Sequence, residues 1–533
     1  MAYDHVEQAL VDKLNSLYDF LLREVTFDSE FNLHITWHMS SNVNMLTHIA
    51  RGIKRFSPES IVAIHTPGLS SKDLQTVLSL LKPAHITLDV NAASLCNEFV
   101  DDLRDVIDKW VVSVDTTRCE SAGCDSTLEQ LVSKISLLKS KGQNVSVNIV
   151  LLEFGLINDI VSFLKNLDVD EITLSLAKDI GRGEYSGLSP LLEYERVFST
   201  VKSLSEKYNV NVSGFTDPRI RKMHKSCYCG LSRITVDSKG FVYPCELMLF
   251  NGVQSNVNIM DVHSVKDLVD KLKYWSVYTL LVPPSCRDCE YKDRCNKGCR
   301  FITYLSSGIP IAKPVLCPIK KNTIYEVIGY RQYSPLFKEV KKIGEKLSSI
   351  VLDVVRKFDS IQELGAGAGR WVYHIEKMTG KPVLGYEVNP TMHALWTILK
   401  SKENLRSDIL LKDAREAKSG GLHLMMDNFI THFSSKDFES LAKKAEAIVL
   451  ELQEYGGDGE YTFYSNGRKI IEIDKSISKN KIVKKIYNGI AYAEMVQYIY
   501  DITDVVQLLE TVGFKTRIHS SGRHHIIIAE RFK

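Results

Sequence analysis

Eight of the eleven cysteines in this 533-residue chain fall between Cys227 and Cys317, and none lies beyond Cys317. Thiols concentrated in this way serve either as disulfides in an oxidising compartment or as metal ligands in a reducing one. The opening "MAYDHVEQALVDKL" is amphipathic and acidic, unlike a targeting peptide. No apolar run is long enough to read as a membrane span. The expected compartment is therefore the cytoplasm, with no membrane partner, and the cysteines read as metal ligands. A net charge of +2 with 25% charged residues supplies no global field for nucleic acid. A chain this long should hold two to four domains, and the cysteine-rich stretch separates two regions of different pattern.

Ahead of it, short β-rich runs alternate with amphipathic helical stretches. The runs are "LHITWH", "SIVAI", "AHITLD", "WVVSVD", "NVSVNIV" and "EITLSL", with helix-like segments such as "SKDLQTVLSLL" and "TLEQLVSKISLLKSKG" between them. Six such units predict an α/β fold with a parallel sheet, either doubly wound or a partial barrel. Ligands of such folds sit where the strands end.

Behind it, "SIQELGAGAGRW" reads as a strand, three glycines (Gly365, Gly367, Gly369) and a helix start. Glycines let a ligand approach the backbone, and the helix start offers free N–H groups. Glu387 ends the next strand, 24 residues after Glu363, where a carboxylate can accept hydrogen bonds from ribose hydroxyls. Asp413 ends a third, and "FKTRIHSS" with "RHHIIIAERF" closes the chain as a hairpin. Together these features resemble the class I S-adenosylmethionine methyltransferases. The resemblance implies a Rossmann-like seven-stranded sheet in which Glu363 to Gly369 cradle the methionine part, Glu387 holds the ribose and Asp413 contacts adenine. A dinucleotide-binding Rossmann domain is the alternative. "HLMMDNFITHF" is expected to form the fourth strand and its exit loop, carrying Asp427, Asn428 and His432. Those three read equally as substrate contacts or as caps and solvated surface. Methyl transfer from a sulfonium needs in-line positioning above all, so no catalytic base is required.

The cysteines themselves follow a pattern. From Cys229 there are ten residues to Gly240 and four more to Cys245. Cys286, Cys289, Cys295 and Cys299 follow at intervals of two, five and three residues, and Cys317 comes after a further seventeen. Closely spaced thiolates suit a compact Fe–S or tetrahedral site. The pattern resembles the SPASM extension of radical S-adenosylmethionine enzymes, which implies two [4Fe–4S] clusters. By that resemblance Cys286, Cys289, Cys295 and Cys317 bind one, and Cys229, Cys245, Cys299 and Cys227 bind the other. Structural zinc on the same cysteines is the alternative, since spacing alone does not separate the two.

In that family a radical S-adenosylmethionine barrel precedes the extension, and residues 31–215 resemble one. The family's first loop carries C-x3-C-x2-C, and this chain has Val43, Thr47 and Ala50 at those positions. Its G-G-E-P is replaced by "HTPG", His65 to Gly68. The resemblance implies a barrel kept without its radical centre. Cys96, Cys119 and Cys124 have the wrong spacing to replace the missing loop cysteines. The implied organisation is an N-terminal helical extension (1–30), a degenerate radical-type barrel (31–215), a SPASM-like iron–sulfur module (216–325), a helical linker (326–358) and a methyltransferase domain (359–533). The expected function is methyl transfer from S-adenosylmethionine to an acceptor held by barrel and module. A peptide or protein acceptor leads, with RNA and small molecules open. The alternative is an Fe–S electron-transfer or scaffold protein carrying an accessory methyltransferase fold.

Overall fold

The computed structural model describes residues 33–65, 68–115, 124–151, 169–176, 203, 210–213, 227–280, 282–292, 295, 297–315, 317, 319–465, 468–488 and 491–532. The extension at 1–30, Cys119, Thr66 and Pro67 of the "HTPG" stretch, and Ala177 to Gly183 lie outside them.

All six strands read from the first region form: β1 (His34–His38), β2 (Ser60–Ile64), β3 (His85–Asn91), β4 (Lys109–Asp115), β5 (Val145–Leu151) and β6 (Glu171–Leu176). They pair in parallel and in sequence order, so the sheet grows in one direction without the reversal of a doubly wound fold. β7 (Asn211–Ser213) continues it beyond β6. On the other side β8 (Arg233–Val236) pairs in parallel with β1, and β9 (Val242–Tyr243) pairs antiparallel with β8. The cysteine-rich region thus contributes two strands to the first sheet, giving nine.

After β1 the chain enters a helix at Val43–Lys54, with the Asn42 side chain capping its start by accepting from Met45 N–H. Val43, Thr47 and Ala50 are spaced by four and three residues, so they share one helix face. Ala50 is buried, and Val43 packs against the same core. Ala50 joins Leu46, Ile49 and Ile53 in packing the helix into the core of the first sheet, with Thr47 half-buried beside them.

The C-terminal region holds β10 (Ile361–Leu364), β11 (Leu384–Glu387), β12 (Asp408–Leu411), β13 (Leu422–Met425) and β14 (Ala447–Gln453). It then adds β15 (Gly459–Ser465), β16 (Arg468–Ser478), β17 (Lys481–Tyr487) and β18 (Tyr492–Tyr498) before β19 (Phe514–Ser521) and β20 (His524–Arg531). Seven of these strands make one sheet in the order β12-β11-β10-β13-β14-β20-β19, with β20 antiparallel to β14. β10 and β13 are buried along their whole length, as expected of central strands with both faces covered. The remaining four, β15 to β18, form a separate antiparallel meander inserted after β14. Nothing in the sequence pattern anticipated it.

The stretch read as a helical linker is helical only in part. A short helix covers Ile324–Ile328, a single 3-10 turn covers Arg331–Tyr333, and the longer helix starts at Glu345. Pro335 disfavours helix at the residue before it, and Ser334 is extended. Gly344 caps the later helix rather than continuing an earlier one. Among the described residues, no helix is long and apolar enough to cross a membrane.

Phe438, fully buried between the seven-stranded sheet and its helices, should cost about 3–5 kcal/mol on Phe438→Ala, read as an earlier denaturant transition. Ile477→Ala on the open face of the meander, at 54% exposure, should stay within about 0.5 kcal/mol.

Candidate functional site

The glycine turn leaves β10 at its C-terminal end. Gly365 and Ala366 N–H both donate to the Tyr386 carbonyl, at 3.0 and 2.9 Å, which folds the turn over the end of β11. All three glycines have positive φ, at 74°, 56° and 83°. A Cβ at position 365 would run into the Phe429 ring, and one at 369 into Trp396; at 367 it would meet nothing. Two glycines are therefore required by packing, while the third opens its backbone to free space.

Glu387 closes the site. Its Oε2 accepts from Gly367 N–H at 2.8 Å and its Oε1 from Asn389 N–H at 2.6 Å. Burial raises its pKa, opposed by those backbone donors. Glu363 is turned inward and accepts from Val372 N–H at 3.1 Å in the first turn of the helix Arg370–Thr379. Burial pushes its carboxyl well above the usual range. It therefore anchors the glycine turn to its helix and is only 3% exposed. Asp413 lies two residues past β12 and is bound by Arg415 through backbone and guanidinium, at 2.8 to 2.9 Å. Those contacts hold its carboxyl below the ordinary value.

The exit loop of β13 adds further contacts. Asp427 and Asn428 are both left-handed, with φ of 54° and 62°. Asp427 ion-pairs with Arg370, so the fourth strand is tied to the glycine turn. Asn428 Oδ1 accepts from Gln453 N–H at 3.0 Å, a structural use. His432 closes the 3-10 turn Phe429–His432, and burial lowers its pKa. From the junction of the cysteine-rich region and the supposed linker come Tyr325, Tyr330 and Tyr333, none of them marked by the sequence pattern. Tyr325 and Tyr333 meet edge-to-face at 5.0 Å. Burial and the nearby Glu387 carboxylate push the Tyr325 hydroxyl far up. Tyr330 O–H donates to Glu326 and faces the Asn389 amide at 3.4 Å. Three tyrosines within nine residues were the available signal.

The cysteines fall into two neighbourhoods. The Cys227 and Cys229 sulfurs are 3.1 Å apart, and hydrogen bonding with Cys227 and then Cys245 raises the Cys229 thiol far above its usual value. Cys299 shares an apolar cluster with Cys245. Cys286 feels Cys317, Cys295 and Cys289 as neighbours. Several of these sulfurs accept backbone hydrogen bonds: Cys295 from Lys297 at 3.3 Å, Cys317 from Lys320 at 3.4 Å and Cys299 from Ile302 at 3.5 Å. Such N–H···S contacts favour a thiolate over a thiol. Arg300, 4% exposed, lies where both groups act on it: burial lowers its pKa, opposed by Cys286 and then Cys299. Its Nη1 donates to the Ala312 carbonyl at 3.0 Å. Among the described residues no three or more Cys, His, Asp or Glu side chains converge tightly enough to form a metal site as they stand. Cys96 is exposed and stands apart.

No protein-family model and no curated protein matches the chain. It is similar to an S-adenosylmethionine-dependent methyltransferase from Clostridium acetobutylicum, at 11% identity, 36% of this chain, 94% of that chain and a TM-score of 0.31. It is also similar to CalS10, an amino pentose methyltransferase from Micromonospora echinaspora involved in calicheamicin biosynthesis, at 13%, 36%, 92% and 0.27. A third neighbour is SuiB from Streptococcus suis bound to the precursor peptide SuiA, at 15%, 54%, 76% and 0.43. With scores this low they stand as structural neighbours only.

Burial raises the Cys286 thiol to about 11. In metal-free protein its alkylation by iodoacetamide should therefore accelerate only as pH climbs towards that value, well above the ~8.5 of an ordinary thiol. Peptide mapping across a pH series reads this directly, and a midpoint in the ordinary range would contradict it.

Proposed function

We propose that this chain transfers methyl groups from S-adenosylmethionine, and that its C-terminal sheet holds the cofactor. The observation that carries this reading is the pairing of an open Gly367 with a buried Glu387 at the ends of adjacent strands. When bound, S-adenosylmethionine supplies an electrophilic methyl group on a sulfonium centre. The donor set fits that group. A carboxylate has about four acceptor positions, so Glu387 keeps capacity for ribose hydroxyls after Gly367 and Asn389 have donated. Gly367 lets a ligand lie against the backbone, and the Tyr325 ring near Glu387 suits a cation. Asp413 faces adenine by the resemblance to class I enzymes, with Arg415 fixing its orientation. Glu363 acts at one remove, by holding the turn to its helix.

The cysteine-rich region is proposed as a SPASM-like module with two [4Fe–4S] clusters. Cys286, Cys289, Cys295 and Cys317 would hold one, and Cys227, Cys229, Cys245 and Cys299 the other, with zinc as the competing occupant. Backbone donors to Cys295, Cys299 and Cys317 suit ligated thiolates. The buried Arg300 guanidinium offsets the negative charge that two such groups would concentrate there. The first region is proposed as a partial barrel that keeps its fold without a radical centre. What supports this is the regular helix at Val43–Lys54, where Val43, Thr47 and Ala50 supply no thiolate. Barrel and module then position the acceptor, proposed to be a peptide or protein.

Incubation of the full chain with cell extract and isotope-labelled S-adenosylmethionine should place label on an acceptor found by mass spectrometry. No label above a Glu387→Ala control would refute methyl transfer. Protein purified without oxygen should carry about eight iron atoms and as many sulfides per chain. Stoichiometric zinc with neither iron nor sulfide would refute the clusters.

A further inference from the structure

The meander lies where an insertion after a parallel strand must emerge, at the C-terminal edge that also carries the glycine turn. Its pairing sets Asp474 opposite Lys484 and Glu472 opposite Ile486. Glu472, Asp474, Lys484 and Ile486 therefore share one face, because side chains alternate along a strand. At one end of that face, Ile470 and Ile486 pack into the cysteine-rich region. The other end roofs a cavity of about 380 Å³ whose opposite wall includes Asn428, Thr431 and Gln453. This volume suits a side chain or a small ligand.

The charges around this cavity do not balance. Glu472 ion-pairs with Lys484, whose Nζ also stands 3.5 Å from Asp474 Oδ1. Asp474 is 8% exposed, and its Oδ1 accepts no hydrogen bond. Two carboxylates thus share one ammonium. Glu454 is otherwise engaged, accepting from Ile502 N–H at 2.9 Å and facing His525 at 3.4 Å. Arg523 reaches the same cavity from an exposed position. A buried carboxylate oxygen that accepts no hydrogen bond is costly; burial accordingly raises the Asp474 pKa. Tyr461, opposite Glu472 in the meander, lines the same space, and its ring face attracts cations; the Tyr498 ring already carries Lys481 Nζ at 5.0 Å.

We propose that this cavity binds a positively charged group, the ammonium or guanidinium of the methyl acceptor, with Asp474 as its counter-ion. That the ligand is the acceptor rests on the methyltransferase reading; the preference for positive charge does not.

The test uses the full chain and calorimetric titration with N-acetyl-arginine amide and N-acetyl-lysine amide, against N-acetyl-citrulline amide as the neutral analogue. At least one cationic probe is expected to bind tenfold or more tightly than citrulline. Asp474→Asn should abolish that preference while S-adenosylmethionine affinity and the unfolding transition stay unchanged. Tyr461→Leu alters a side chain that is 44% exposed, so folding should survive it. It should weaken the cation several-fold, and it decides the outcome if Asp474→Asn fails to fold. Equal affinity for charged and neutral probes, or an unchanged preference in the folded variant, would overturn the proposal. Cation preference without S-adenosylmethionine binding would uphold the cavity and reject the methyltransferase reading; the reverse combination would reject the cavity alone.

Discussion

The hydrogen bond from Gly367 N–H to the Glu387 carboxylate joins the ends of two adjacent parallel strands, and the rest of the site is arranged around it. The turn containing Gly367 is folded down by two donations to the Tyr386 carbonyl. It is pressed between Phe429 and Trp396, which leave no room for side chains at Gly365 and Gly369. Glu363 fastens it to the following helix, and the Arg370–Asp427 pair reaches across to the fourth strand. Every one of these contacts sits at the same sheet edge, because parallel strands deliver all their exits there.

The cysteine-rich region is fastened to that edge and, separately, to the first sheet. The meander leaves β14 at this end and is held to the cysteine-rich region by Asn488, which donates to the Val327 carbonyl at 2.7 Å and to Ser306 at 2.9 Å. Asn322 donates to the Tyr492 carbonyl at 2.9 Å, and Gln497 reaches Thr431 on the exit loop at 3.3 Å. On the other side, Ser285, beside Cys286, meets Thr391 at the start of the helix after β11. β8 and β9 in turn extend the first sheet. The cysteine-rich region is therefore structurally continuous with both α/β regions.

Much of this was legible in the sequence. The six apolar runs of the first region became strands because buried parallel strands need continuous β-branched and aromatic residues. Glycine spacing with a carboxylate 24 residues on picked out two groups that do meet, Gly367 and Glu387, since both features follow from backbone turns and strand ends. The meander stayed hidden for a physical reason. Glu472, Asp474 and Lys484 occupy positions where alternation calls for apolar residues, so a covered face reads as polar. The tyrosine wall was missed because Tyr325 to Tyr333 act through tertiary contact, which no local period reports. Pro335 and Gly344 were the visible signs that the linker could not be one helix.

The most direct test is calorimetric titration of S-adenosylmethionine into the full chain and its Glu387→Ala variant. A micromolar dissociation constant is expected, weakened at least tenfold in the variant, a change of about 1.4 kcal/mol or more. The absence of binding, or equal affinity in the two proteins, would contradict the assignment of the Gly367–Glu387 cleft as the cofactor site.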